Sequence, residues 1–170
     1  GDAVPTYTVT YTGWVNGAEI PTTAPGLVCT YTTTSNVGTY DVTFQTTPVF
    51  ANYTVTTVKG TVTVNRAKVA VEPTVVSGLV YTGSEQNGYT SAGTYVTLSG
   101  TTSATNAGSY SFTATPDANH AWSDGTTDAK TYTWSIAKAP LTATASSHTV
   151  TYGDAVPTYT VTYTGWVNGA

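Results

Sequence analysis

GDAVPTYTVTYTGWVNGA occupies residues 1–18, and the same eighteen letters return at residues 153–170. Inside this stretch, residues 6–12 alternate Thr with Tyr7, Val9 and Tyr11. A period of two belongs to a half-buried strand, because successive strand side chains point to opposite faces. The same alternation recurs at residues 54–58, 61–64, 110–114 and 131–136. Asn16-Gly17, Asn87-Gly88, Asp124-Gly125 and Asn168-Gly169 read as turn or hairpin dipeptides between such runs. No segment reads as a helix. The expectation is an all-β fold of tandem small antiparallel β-sandwich modules, Ig-like or β-grasp-like, in an end-to-end array.

Composition supports that reading and limits function. Of 170 residues, 41 are Thr, 21 Val and 13 Tyr, whereas Leu is 4 and Ile 2. Thr, Val and Tyr suit pleated, half-buried surfaces, and strong helix formers are scarce. Only 8% of residues are charged, against about 25% in ordinary soluble domains. Five Lys and Arg cannot track a phosphate backbone, so nucleic acid is excluded as a partner. No apolar run reaches the roughly 18 residues of a membrane-crossing helix, so no membrane insertion is expected. Cys29 is the one cysteine. It cannot build an internal disulfide framework and, alternating with Leu27 and Tyr31, is expected to be buried as a small hydrophobe.

The two copies of the segment lie 152 residues apart. Identity over eighteen residues marks a duplication, and the chain reads as a window on a longer array. A weaker repeat with an offset of 70 relates NVGTY at residues 36–40 to NAGSY at 106–110, and TVTVNRAK at 61–68 to TYTWSIAK at 131–138. Ala51-Asn52-Tyr53 corresponds to Ala118-Asn119-His120 after a three-residue length change. These matches divide the chain into residues 1–67, a module A lacking its first strand; residues 68–138, a complete module B; and residues 139–170, the start of the next module A.

The repeated segment, with NVGTYDVTF, ANYTVTTVKGTVTVNRA, VYTGSEQNG and WSDGTTDAKTYTWSIAKAPLTATAS after it, resembles the MBG-type (YGX) repeats of large bacterial cell-surface proteins and adhesins. The resemblance implies an extracellular, cell-surface repeat domain with no catalytic residues. Such domains are stacked between an anchor and a distal binding region.

Candidate chemistry is sparse. His120 and His148 sit in no metal-ligand spacing, there is no G-x-S-x-G, and no paired carboxylates flank a cleft segment, so no enzyme is expected. Asp117, Asn119, Asp124 and Asp128 fall within twelve positions and are the candidate calcium ligands, without the EF-hand spacing or its terminal Glu. Asp and Asn in a β-loop ordinarily make local turns, so no cofactor is expected. An isopeptide bond between Lys138 and Asn65 is disfavoured, because strand alternation turns Asn65 outward. An ice-binding Thr lattice is disfavoured by sheet twist. Trp14 and Trp166, beside turns, are the candidates for exposed aromatics. With Lys68, Lys138 and Pro140 they are the expected contacts between neighbouring modules. The function expected is a structural stalk or spacer of a long extracellular bacterial adhesin or fibre. Its partners would be neighbouring repeats, with any cell-surface ligand bound through other domains. The alternatives are a module that binds a glycan or host protein, and a subunit of a self-assembling surface filament.

Overall fold

A computed structural model describes residues 2–167, and within them the elements are strands and turns, with no helix. The chain divides into two compact units between Ala67 and Lys68.

The first unit holds an antiparallel sheet in the order β1 (Gly26–Cys29), β2 (Gly38–Thr46), β3 (Gly60–Val64). Leu27 pairs with Phe44 and Cys29 with Val42, so these four side chains share one face. Val42 is buried together with Tyr31 and Phe50, whereas Cys29 is only half-buried. The Tyr31 hydroxyl donates to the Asp2 carbonyl at 2.8 Å, tying the start of the unit to this core.

β4 (Ala67–Lys68) spans the boundary, and the second unit continues with β5 (Thr74–Val75), β6 (Leu79–Val80), β7 (Gln86–Asn87) and β8 (Tyr89–Ser91). Next come β9 (Val96–Gly100), β10 (Ser103–Ala104), β11 (Gly108–Pro116), β12 (His120–Ala121) and β13 (Lys130–Ala137). β14 (Thr142–Ala145) and β15 (Val161–Thr164) complete it. Its main sheet runs β6-β13-β11-β9, antiparallel except for the parallel β6–β13 pair. Phe112, Trp134 and Ile136 form one buried cluster, and Val69, Ala114 and Trp122 another. Both buried indoles satisfy their N–H: Trp134 donates to Thr101 O at 2.9 Å and Trp122 to Asp128 O at 2.7 Å, as buried tryptophans require.

The offset-70 repeat is visible in three dimensions. In each unit the tyrosine of N-x-G-x-Y donates its hydroxyl to the carbonyl of the motif's own Asn. Tyr40 reaches Asn36 O at 2.8 Å, and Tyr110 reaches Asn106 O at 2.7 Å. The bond closes the turn entering the long strand, as a tyrosine corner does. Tyr40 then pairs with Val62, and Tyr110 with Trp134. Relative to the sequence repeat this is a two-residue shift of register, and an even shift keeps the same faces together.

Two expectations are corrected. Residues 6–12 and 54–58 form no strand, although both alternate cleanly. Residues 61–64, 110–114 and 131–136 do lie in β3, β11 and β13. Alternation says which face a side chain takes, but a strand also needs a neighbour to take its backbone hydrogen bonds. Among the described residues, no segment pairs with 6–12 or 54–58 in a ladder. Asn87-Gly88 is not a hairpin turn either. Gly88 links β7 to β8, and a Cβ on it would lie 2.3 Å from the Trp134 ring. The glycine is there for close approach. Asp124-Gly125 does turn, with Gly125 N donating to Trp122 O at 2.9 Å and a φ of 90°. Asn168-Gly169 lies outside the described residues.

Candidate functional site

A concavity belongs to the first unit. A groove of about 510 Å³ runs between residues 8–14 and residues 53–60, over the sheet face carrying Leu27, Val42 and Phe44. An aromatic cluster closes one end. Tyr11 meets Phe50 edge-on at 5.2 Å, and Trp14 meets Phe50 at 5.3 Å and Tyr53 at 5.2 Å. Tyr53 also accepts a hydrogen bond from Val15 N at 3.1 Å. Edge-to-face contacts of this kind add about 0.5–1.5 kcal/mol each beyond area burial. Trp14 is therefore half-buried in its own unit, against the expectation of an exposed ring.

Two tyrosine hydroxyls of the first unit are unsatisfied. Tyr7 Oη and Tyr11 Oη are buried from solvent without a hydrogen-bond partner. Burial, and then the Cys29 thiol beside it, push the Tyr7 hydroxyl above its ordinary range. The thiol lies close by without forming a well-aligned bond. Buried hydroxyls ordinarily find partners, and each orphan costs about 1–3 kcal/mol. Sequence alternation gave Tyr7 and Tyr11 their inward direction, but the groove, with Phe50 and Tyr53 at its end, was not read from sequence.

The calcium candidates are engaged otherwise. Asp117 Oδ1 accepts from Asn119 N at 2.9 Å and lies 2.6 Å from His120 Nδ1. The His120 contact, with the Asn119 amide, holds the Asp117 carboxyl below its usual range. Asp124 Oδ1 accepts from both the hydroxyl and the amide of Thr126, at 2.7 and 2.8 Å, which lowers its pKa likewise. The Asp128 carbonyl accepts from Trp122. Among the described residues, no three or more His, Cys, Asp or Glu side chains come together where they could hold a metal ion.

A polar cluster with no local signature surrounds Trp122. Lys130 Nζ lies 3.1 Å from Glu72 Oε2, 3.8 Å from Asp124 Oδ2 and 4.6 Å from the Trp122 ring centroid. Ser123 donates to Glu72 Oε1 at 2.8 Å, and Ser123 and Lys130 together hold the Glu72 carboxyl below its ordinary range. These partners stand 51 to 58 residues apart in sequence, beyond the reach of any local pattern. Lys68 donates to Ser123 O at 2.8 Å and Trp122 O at 3.3 Å, within the second unit. Lys138 and Trp166 line a second cavity, of about 330 Å³, with Tyr81, Ala139 and Leu141. The Pro140 carbonyl sits where a Cβ on Gly165 would meet it at 2.8 Å. Asn65 is exposed, as alternation predicts.

Among the described residues, no helix is long and apolar enough to cross a membrane. No curated protein and no solved structure matches the chain significantly. Over residues 1–63 the chain is similar to the family described as the MBG domain (YGX type), the family its motifs resemble.

Proposed function

We propose that the chain is a stretch of stalk: a structural spacer repeat of a long extracellular bacterial surface adhesin or fibre, holding a distal binding region away from the cell. It carries out no reaction and needs no cofactor, and its partners are neighbouring repeats. The observation that carries this reading is the exact return of eighteen residues after 152, together with joins too short for flexible tethers. β3 ends at Val64 and β4 begins at Ala67, while β13 ends at Ala137 and β14 begins at Thr142. Neither join contains a Gly or Ser run, so neither has the composition of a flexible linker. Small-angle scattering from polypeptides of one, two and three periods tests the reading. The maximum dimension is expected to grow linearly with the number of periods. Growth as the square root would rule out a spacer.

The aromatic groove favours a second reading, a glycan-binding module, since concave sites lined by aromatics with a few polar groups are typical of ligand pockets. Saturable glycan binding that Trp14→Ala abolishes would support it.

A further inference from the structure

Resting on the spacer reading, we infer that the complete module of the second unit bears tension through a shear clasp: residues 68–81 run alongside, and parallel to, the strand by which the chain leaves the module. Under tension along the chain this module is pulled at Lys68 and at Lys138. β13 runs from Lys130 to Ala137. At its start, Lys130 Nζ lies 3.1 Å from Glu72 Oε2. Further on, Val75 packs against the cluster of Phe112, Trp134 and Ile136. At its end, Leu79 pairs with Ile136 and Val80 with Ala137 in parallel, and Tyr81 N donates to Ala137 O at 2.9 Å. Contacts that climb from Glu72 to Val80 on one segment climb from Lys130 to Ala137 on the other. The two points of load therefore lie at opposite ends of a strand about 26 Å long.

That geometry decides how force is divided. Ladder hydrogen bonds run across the strands rather than along them. Drawing parallel neighbours past each other strains every link at once, whereas parting them from one end breaks the links in turn. The entering end is also fastened by itself. Val69 N donates to Ala121 O at 2.8 Å, and its side chain is buried against Ala114 and Trp122. Lys68 Nζ donates to Ser123 O at 2.8 Å and to Trp122 O at 3.3 Å. Thr94 N donates to Val71 O at 3.1 Å, and the Ser123 hydroxyl to Glu72 Oε1 at 2.8 Å.

The placing of charge supports the clasp. The chain has only 5 Lys and Arg and 9 Asp and Glu, yet Lys68, Glu72, Asp124 and Lys130 gather where the segment enters. Lys130 Nζ also lies 3.8 Å from Asp124 Oδ2 and 4.6 Å from the Trp122 ring centroid. Partly exposed ion pairs add little to equilibrium stability, so folding alone gives little reason to concentrate them here. Resistance to force is set instead by the unfolding rate. A contact that must break before the barrier slows that rate by its full worth.

Force-clamp lifetimes along two directions test the clasp on the whole chain. In a Cys29→Ala background, handles are attached through Arg66→Cys with Lys138→Cys, which loads the clasp in shear, or through Ser84→Cys with Lys138→Cys, which parts β6 from β13 at one end. All three positions are exposed, and circular dichroism checks that each variant is folded. At equal force the shear pair should hold at least about tenfold longer. Glu72→Gln should shorten the shear lifetime about two- to fivefold and leave the other direction unchanged. Equal lifetimes in the two directions would overturn the proposal, as would a Glu72→Gln effect of the same size in both. Either failure leaves the spacer reading standing, because the scattering measurement decides that separately.

Discussion

Ala143 lies across an antiparallel ladder from Tyr163, while Tyr11, the same residue of the repeated segment, is paired with no strand and buries its hydroxyl unpartnered. Each copy of the segment has half of what a strand in a domain requires. The first copy is packed: Tyr7, Val9, Tyr11 and Trp14 are half-buried. The second copy is paired but bare, with Tyr159 71% and Tyr163 51% exposed. Packing and pairing are separate contributions, and the duplicated sequence shows them one at a time.

Trp14 and Trp166 should therefore respond differently to the same substitution. Trp14→Ala removes contacts with Tyr11, Phe50 and Tyr53, whereas among the described residues Trp166 has one ring contact, with Tyr163. We expect a loss of about 2 kcal/mol in the first unit and under about 1 kcal/mol for Trp166→Ala, in proportion to the area each buries. Thermal denaturation of the two variants, followed by near-ultraviolet circular dichroism, measures both. Equal losses would contradict the asymmetry.

Gly88→Ala places a Cβ against the ring of Trp134, which is buried in the Phe112–Ile136 cluster. The indole cannot withdraw without giving up its bond to Thr101 O. The substitution should destabilise the second unit by about 1–3 kcal/mol through overpacking. Gly78→Ala, where a Cβ meets nothing within 4 Å, is the contrast, since its cost is backbone strain alone at a φ of 74°. A red shift of tryptophan fluorescence confined to Gly88→Ala would locate the disturbance at the ring.

Tyr40→Phe and Tyr110→Phe test the N-x-G-x-Y motif. Each removes the tyrosine hydroxyl that donates to the motif's Asn carbonyl. The expected cost is about 1 kcal/mol in each unit, or roughly 4–8 °C in midpoint for a domain of this size. Amide hydrogen exchange should speed up first in the turn before β2 or β11. If exchange there stays unchanged, the motif has no such role.

Acid should weaken the second unit in a way that traces to its carboxylates. Glu72, Asp117 and Asp124 are held below their ordinary values by hydrogen bonds and by His120 or Lys130. A carboxyl depressed by folding stabilises the protein above its unfolded pKa of about 4 and loses that contribution as pH falls through the folded value. The melting midpoint should be flat near neutrality and fall below about pH 4. Glu72→Gln should flatten part of that fall while costing under about 1 kcal/mol at pH 7, because the pair is partly solvated. An unchanged acid slope would remove Glu72 from the explanation.

Much of this molecule could be read from the order of its residues. The Thr-x-Tyr-x and Thr-x-Val-x runs gave the all-β class and the outward direction of Asn65. They did so because side-chain direction in an extended chain is a local property of the backbone. The repeat at 152 and its diverged partner at 70 located the motifs that the two units share. Tertiary structure decided what depends on a distant segment. It left residues 6–12 and 54–58 without ladders, set Gly88 beneath an indole, gathered Glu72 and Lys130 around Trp122, and opened a groove beside Tyr11. A strand's hydrogen bonds are completed by another stretch of chain, and no local pattern names that stretch. That is why residues 9–12 are packed without pairing, while the identical residues 161–164 are paired without packing.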